Sequence, residues 1–182
     1  MTRTIKSMEK KYLLPSLDMV EDVFARWDSP EEGKTVGRLV EEIRSKKYYI
    51  PELELIMADE NDVVIGYAMF SGFHIEGKYE DDLLLLTPVA VKTELQRQHI
   101  SKELIEYGFA KAQELGYKAV IVEGDPNNYN PRGFRTSADY GIIADEGIHL
   151  PHVSCLMVKE LVDGALACIN GVVNYSFYDS LR

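Results

Sequence analysis

The residues with the clearest chemical potential lie between positions 86 and 102, where an apolar segment runs into a basic turn and then into a helix. The apolar segment is residues 86–91, and the helical pattern begins at Ile100. A helix N-terminus presents unpaired backbone N–H groups and a partial positive charge, which together attract anions. Cationic or protonatable side chains crowd the same stretch, against the single acidic residue Glu94: Lys92, Arg97, His99 and Lys102. The pattern therefore predicts a phosphate-type anion site at this corner.

Composition and charge limit the partners of the chain. Its 182 residues carry a formal net charge of −10, and the isoelectric point is near 4.9. Such acidity disfavours nucleic acid as a partner and permits a cationic or amine substrate. The longest apolar run, residues 83–86, is too short to span a bilayer, and the first residues lack the apolar segment of a secretory signal. We expect one cytoplasmic domain over residues 1–182, without a membrane partner.

Cysteine and histidine indicate neither a disulfide framework nor a metal centre. Two cysteines, Cys155 and Cys168, are too few for such a framework, and we expect reduced thiols. His149 and His152 lie near Cys155 but do not complete a set of metal ligands. The sequence therefore predicts no metal, and it leaves formation of a homodimer open.

The first helix is predicted after a weak strand at residues 3–12. Ser16 is a candidate N-cap, and apolar residues follow it at the three-and-four spacing of a helix. These residues are Leu17, Val20, Phe24 and Trp27. We expect them to form the buried face of that helix.

A second helix start is marked by Ser29, Pro30 and Glu32. Serine at the N-cap, proline at the first helical position and glutamate at the third form a capping box. Gly33 and Gly37 fall inside the helix, where glycine costs about 1 kcal/mol relative to alanine. We expect these glycines to weaken the helix and to fray one end.

The next segment has the two-residue period of strands. Residues 53–57 and 63–70 are predicted to form a hairpin across the polar turn of residues 59–62. The apolar run of residues 83–91 predicts a central strand. Pro88 lies within it and cannot donate a ladder hydrogen bond, which predicts a bulge or a local loss of pairing.

A long amphipathic helix is predicted from about His99 to Leu115, with Gly116 as its stop. A short buried strand follows at residues 119–122, and a last strand is predicted at residues 153–158. Strand, long helix and strand in this order indicate a right-handed parallel crossover. The elements together predict an α/β protein.

Five segments carry a more specific signal: residues 86–91, the turn of residues 96–101, residues 122–126, residues 129–134 and the tail of residues 161–175. Together they resemble the GNAT superfamily of acyl-CoA-dependent N-acyltransferases, and a branch of small bacterial-type members in particular. The resemblance spans roughly residues 63–175. It implies a GNAT-like α/β fold: a mixed, mostly antiparallel central sheet, flanked by helices, in which two parallel central strands splay apart.

The same resemblance implies acetyl-CoA as cosubstrate and places it at the anion corner. The pantetheine arm would bond the backbone of the central strand, whose amides would also polarise the acyl carbonyl. The pyrophosphate would lie on the amides that open the following helix. The implied cofactor-binding residues are Val89, Ala90, Val91, Arg97, Gln98, His99, Ile100, Ser101 and Lys102.

Two residues are candidates for catalysis. Tyr129 stands in a Tyr-x-x-x-Gly-Phe motif, where the resemblance implies an acid that protonates the departing thiolate of CoA. A phenol suits this role because its pKa lies above that of a thiol. Glu123 closes the strand before it and is a candidate base for the incoming ammonium, directly or through water. The alternatives remain a packing tyrosine and a solvated carboxylate, and Asp82 has a weaker claim as base.

One residue departs from the family pattern. The family turn has small residues at the positions of His99 and Ser101. The imidazole of His99 either obstructs the pyrophosphate or donates a hydrogen bond to it, and we favour donation. We expect an N-acyltransferase that moves an acetyl group onto a primary amine of a small molecule or peptide. The alternatives are a GNAT-fold binding or regulatory module with weak or no CoA binding, and transfer to a hydroxyl.

Overall fold

The computed structural model describes residues 2–181. The helices are α1 (Leu13–Trp27), α2 (Pro30–Ser45), α3 (Ile100–Glu114) and α4 (Pro126–Tyr129). The strands are β1 (Arg3–Ser7), β2 (Glu54–Asp59), β3 (Val64–Ile75), β4 (Lys78–Val91), β5 (Ala119–Glu123), β6 (Arg135–Thr136), β7 (Ile142–Ala144), β8 (Leu156–Glu160) and β9 (Gly171–Val173). Across residues 2–181, none of the helices has the length and apolar character needed to cross a membrane.

Seven of the strands form a mixed sheet in the order β1-β2-β3-β4-β5-β8-β6. β4 and β5 run parallel, while the pairs β1–β2, β2–β3, β5–β8 and β6–β8 are antiparallel. β7 and β9 form a separate two-stranded parallel sheet. This architecture confirms the predicted α/β fold class, with its mostly antiparallel sheet and its parallel crossover from β4 through α3 to β5.

The chain groups into two compact units, and a single domain over the whole chain stays a prediction. The first unit contains residues 2–71, 87–108 and 176–181 of the described chain. Its α1 and α2 pack against each other, and Ser29 caps α2 as predicted, since its hydroxyl accepts a hydrogen bond from the N–H of Glu32 at 3.1 Å. The predicted hairpin is also present, as the antiparallel pair β2–β3.

The two glycines of α2 have a packing role that the sequence did not reveal, while their predicted cost to the helix stays a prediction. Gly33 and Gly37 are both buried against α1. A Cβ on Gly33 would lie 2.5 Å from the carbonyl oxygen of Glu21 and 2.9 Å from the Cβ of Ala25. The absence of a side chain therefore allows the two helices to approach closely, which propensity alone does not indicate.

The predicted start of α1 is wrong. The helix begins three residues before Ser16, which is itself buried and accepts a hydrogen bond from Nη2 of Arg44 at 3.0 Å. A tertiary partner thus uses the hydroxyl that was expected to cap the helix. The predicted buried face is right at Val20, which is fully buried, and wrong at Trp27, which is 80% exposed. Met19 and Val23 are buried on this helix as well.

The second unit contains residues 72–86 and 109–175. Its β4–β5 pairs run from Leu83–Ala119 to Leu85–Ile121 and end before Pro88, in agreement with the predicted local loss of pairing. The last predicted strand is shifted: residues 153–155 form a 3-10 turn and β8 follows at Leu156–Glu160. Pairing with β5, from Ala119–Glu160 to Glu123–Leu156, fixes the extent of β8.

Candidate active site

The predicted anion corner lies in the first unit, between the end of β4 and the start of α3. Arg97 and His99 both have left-handed backbones, with φ of 63° and 66°. Backbone that alternates in the sign of φ forms concavities in which successive N–H groups converge on an anion. α3 begins at the next residue, Ile100, which is buried and anchors the helix start. The local geometry is therefore suited to a phosphate group.

Hydrogen bonds from neighbouring elements hold this turn in place. Arg3 of β1 donates from Nη2 to the carbonyl oxygen of Gln98 at 2.9 Å and to the carboxylate of Glu103 at 2.6 Å. The side-chain amide of Gln96 donates to the carbonyl oxygen of Val91 at 3.3 Å. The turn is thus tied to β1 on one side and to β4 on the other.

The charges at the corner are available to an anion. Arg97 and Lys102 are exposed, and within residues 2–181 neither forms an ion pair. Lys92 lies 3.7 Å from the carboxylate of Glu94, and both groups are exposed, so the pair is screened by water. His99 is exposed as well, and its left-handed backbone is the conformation that glycine adopts most readily.

At the end of β4, some backbone N–H and C=O groups point toward β3 and others point away from it. The N–H of Lys92 donates to the carbonyl oxygen of Ile65 in β3 at 3.0 Å. Because backbone groups alternate in direction along a strand, those of Val89 and Val91 point away from β3, whereas those of Ala90 point toward it. The structure therefore brings Val89 and Val91 to one edge, as the predicted pantetheine contact requires, and turns Ala90 to the other.

Tyr129 lies in the second unit, at the end of α4. Asp125 caps that short helix by accepting from the N–H of Asn127 at 2.9 Å. The ring of Tyr129 packs edge-on against the buried Phe134, with centroids 5.6 Å apart and an interplanar angle of 85°. It also covers Gly124, where a Cβ would lie 2.6 Å from the ring. The tyrosine is therefore held between the end of β5 and the Gly-Phe of its motif.

The environment of Tyr129 favours the protonated phenol. Burial raises its pKa above the ordinary tyrosine value, and the positive charge of Arg132 offsets only part of that effect. Within residues 2–181 its phenol oxygen has no hydrogen-bond partner. The group therefore remains a proton donor at neutral pH and is not committed to another acceptor.

Glu123 closes β5 and has a partner that the sequence did not reveal. The hydroxyl of Tyr175 donates to its Oε2 at 2.8 Å. Burial and the nearby carboxylate raise the pKa of Tyr175 well above its ordinary value, so the phenol stays a donor. The only signal in the sequence was that Tyr175 ends the tail that resembles the family.

The other candidates have structural roles. Asp82 lies 3.4 Å from Nζ of Lys118, and its carbonyl oxygen accepts from the N–H of that lysine at 2.8 Å. This contact is at the strand ends opposite Glu123, which weakens the claim of Asp82 as base. His152 accepts from the N–H of Ser154 at 3.2 Å. Within the described residues, no group of three or more histidine, cysteine or acidic side chains could hold a metal ion.

An open hollow of about 620 Å³ lies in the first unit. It is lined by residues of α1 and the start of β3, with Tyr12, Asp62 and Lys92 among them. Lys92 belongs to the basic turn, but none of the residues implied to bind the cosubstrate or to act in catalysis lines the hollow. The hollow therefore does not enclose the candidate site residues.

Comparison with known proteins decides the family. The model of the acetyltransferase (GNAT) family matches residues 18–134. The chain belongs to the GNAT acetyltransferase family. The uncharacterized N-acetyltransferase YhbS of Escherichia coli K12 is 31% identical over 147 residues, which cover 79% of this GNAT chain and 83% of YhbS. The predicted resemblance and the predicted class of enzyme, an acyl-CoA N-acyltransferase, are thereby confirmed.

Solved GNAT structures agree with this assignment. The crystal structure of Escherichia coli YhbS in complex with CoA superposes with a TM-score of 0.83 at 25% identity, over 95% of this chain and 89% of that one. A GNAT acetyltransferase from Brucella melitensis, in complex with acetyl-CoA, superposes with a TM-score of 0.70 at 20% identity, over 100% of this chain and 99% of that one. The second likeness concerns the fold alone.

Proposed function

We propose that this GNAT protein transfers the acetyl group of acetyl-CoA to a primary amine of a small molecule or peptide. The observation that carries the proposal is the turn before α3, where left-handed backbone at Arg97 and His99 shapes a concavity next to exposed cations. On a chain with a net charge of −10, a local cluster of exposed cations favours the binding of an anion, here the proposed cosubstrate.

The chain offers groups for each part of acetyl-CoA. The amides of residues 97–102 and the side chains of Arg97 and Lys102 would hold the pyrophosphate. The outward backbone groups of Val89 and Val91 would bond the pantetheine arm. The complexes of YhbS with CoA and of the Brucella melitensis protein with acetyl-CoA support this choice of cosubstrate.

The proposed reaction is a direct attack in a ternary complex. Glu123 takes a proton from the acceptor ammonium, directly or through water, which leaves the nitrogen with a free electron pair. The nitrogen forms its bond to the acetyl carbon as the carbon–sulfur bond breaks. Tyr129 gives its proton to the departing thiolate. The raised pKa of Tyr129 supports this role, since an acid must be protonated before it can donate.

His99 is the observation that favours a second function, a CoA-independent binding or regulatory module. Its side chain stands where a glycine would leave the backbone fully open to phosphate. The two functions differ in a measurable way, because only the enzyme releases thiol from acetyl-CoA in the presence of an amine.

The test is a thiol-release assay with acetyl-CoA and a panel of primary amines that contains an aminoglycoside, free amino acids and a short peptide. A panel of alcohols of similar size is the control for transfer to a hydroxyl. We expect release that depends on at least one amine. Release with alcohols alone would contradict the choice of acceptor, and no release with any acceptor would favour the binding module.

A further inference from the structure

Glu123 and Tyr175 form an unequal pair. The carboxylate is on an exposed residue at the end of β5, while the phenol that donates to its Oε2 at 2.8 Å belongs to a buried residue. An ionised carboxylate only accepts hydrogen bonds, and each of its oxygens can accept separately. One oxygen is therefore held by the protein, and the exposed side of the group remains for another donor.

The backbone around Tyr175 is fixed from several directions. Its ring packs against Phe73 of β3 with centroids 6.3 Å apart. It follows β9, which pairs in register with β7. At the start of β9, Gly171 has φ of 130°, and a Cβ there would lie 2.7 Å from Ile75 and 2.8 Å from Glu76. The segment of residues 171–175 is thus closely docked, so that the phenol occupies a defined position.

Glu123 is fixed mainly through its backbone. It pairs with Leu156 of β8, so its Cα is set by the sheet. Its side chain has several rotatable bonds and would sample many rotamers without a partner. The hydrogen bond from Tyr175 selects among these rotamers. Groups held in reactive geometry before the substrate binds lower the barrier to reaction.

We propose that Tyr175 is a positioning residue, which holds Glu123 through Oε2 so that Oε1 binds the ammonium of the acceptor. The inference rests on the proposed function, since it assigns the recognition of the amine to this pair. It names the acceptor by its chemistry as a cationic primary amine. The phenol itself does not touch the reacting atoms in this account.

The experiment compares Tyr175→Phe, Glu123→Gln and the double variant in the thiol-release assay, with the amine varied at saturating acetyl-CoA. Tyr175→Phe keeps the ring and removes the donor. We expect kcat/KM for the amine to fall by about ten- to hundred-fold, as for a lost hydrogen bond to a charged group, with an unchanged KM for acetyl-CoA. In the Glu123→Gln background, we expect the same change to have no further effect.

Two further variants separate positioning from stability. Tyr178→Phe is the matched control, because Tyr178 is also a buried tyrosine of the C-terminal segment, and its hydroxyl lies 3.4 Å from Oγ of Ser71. We expect it to keep the parent kcat/KM. Glu123→Asp keeps the charge but shortens the side chain, which draws the carboxylate away from both the phenol and the proposed position of the ammonium. We expect a loss at least as large as that in Tyr175→Phe.

Several results would overturn the inference. Parent kinetics in Tyr175→Phe would show that the hydrogen bond does not serve the reaction. Additive losses in the double variant would show that Tyr175 acts on stability and not through Glu123. In both cases the parent enzyme remains active and the proposed function stands. A parent protein that releases no thiol with any amine would overturn the proposed function, and the inference with it.

Discussion

At the scale of single residues, His99 shows how backbone geometry explains a sequence departure. The sequence revealed that a histidine replaces the small residue of the family turn, but not that the position is left-handed, with φ of 66°. Such backbone costs a residue with a Cβ about 1–2 kcal/mol, and histidine is among the residues that tolerate it best. Backbone strain of this kind clusters at ligand-binding sites, which agrees with the proposed role of His99 in binding phosphate.

His99→Gly tests that role. The left-handed backbone suits glycine, so we expect the free energy of unfolding to stay within about 1 kcal/mol of the parent value. If the imidazole donates to a phosphate, the variant should bind CoA more weakly. Isothermal titration of CoA into the parent and the variant measures this, and tighter binding by the variant would show that the ring obstructs the site.

Removal of the phenol hydroxyl of Tyr129 should slow the chemical step without weakening substrate binding. Tyr129→Phe keeps the ring contact with Phe134 and removes the proton, so kcat should fall by about 10²–10⁴-fold with little change in KM. Tyr140→Phe, at an exposed tyrosine of the same unit, is the control and should keep the parent kcat. Steady-state kinetics decides the matter, and an unchanged kcat when chemistry limits turnover would remove Tyr129 from the mechanism.

At the scale of elements, the sequence was informative where a local rule determines the structure. The Ser29 cap, the turn between β2 and β3, and the limits of α3 all follow from a few adjacent residues. It was misleading where a distant partner decides. Arg44 occupies the hydroxyl of Ser16, and β5 sets the limits of β8. Propensity and period carry no information about such partners.

The contact between α1 and α2 yields a stability prediction. Gly33→Ala adds a Cβ that would lie 2.5 Å from a backbone oxygen of Glu21, so the helices must move apart. Despite the better helix propensity of alanine, we expect unfolding to become easier by about 1–3 kcal/mol. At Gly37 the three atoms nearest to an added Cβ all belong to the side chain of Glu21, which can rotate away, so Gly37→Ala should be neutral or stabilising. Chemical denaturation of both variants measures the difference, and equal effects would contradict this account of the contact.

At the scale of the whole molecule, the candidate residues are far apart in the sequence. The anion corner and Tyr129 could be predicted, because each is a contiguous motif with a physical meaning. The pairing of Glu123 with Tyr175 could not, since 52 residues separate them and nothing local marks either as a partner. The chain as a whole is acidic, with a net charge of −10, whereas the corner carries exposed cations. Reversing charges at the corner can therefore be compared with reversing the same number of charges elsewhere on the surface.

The central claim is that residues 97–102 bind the phosphates of acetyl-CoA. Isothermal titration of acetyl-CoA into the parent and into Arg97→Glu with Lys102→Glu tests it most directly. The control is Lys34→Glu with Arg38→Glu, which reverses two exposed charges of α2 and changes the net charge equally. We expect the corner variant to bind at least about 100-fold more weakly, since two charged contacts are lost, and the control to bind like the parent. Equal affinity in the corner variant and the parent would contradict the placement of the cosubstrate and, with it, the proposed active site.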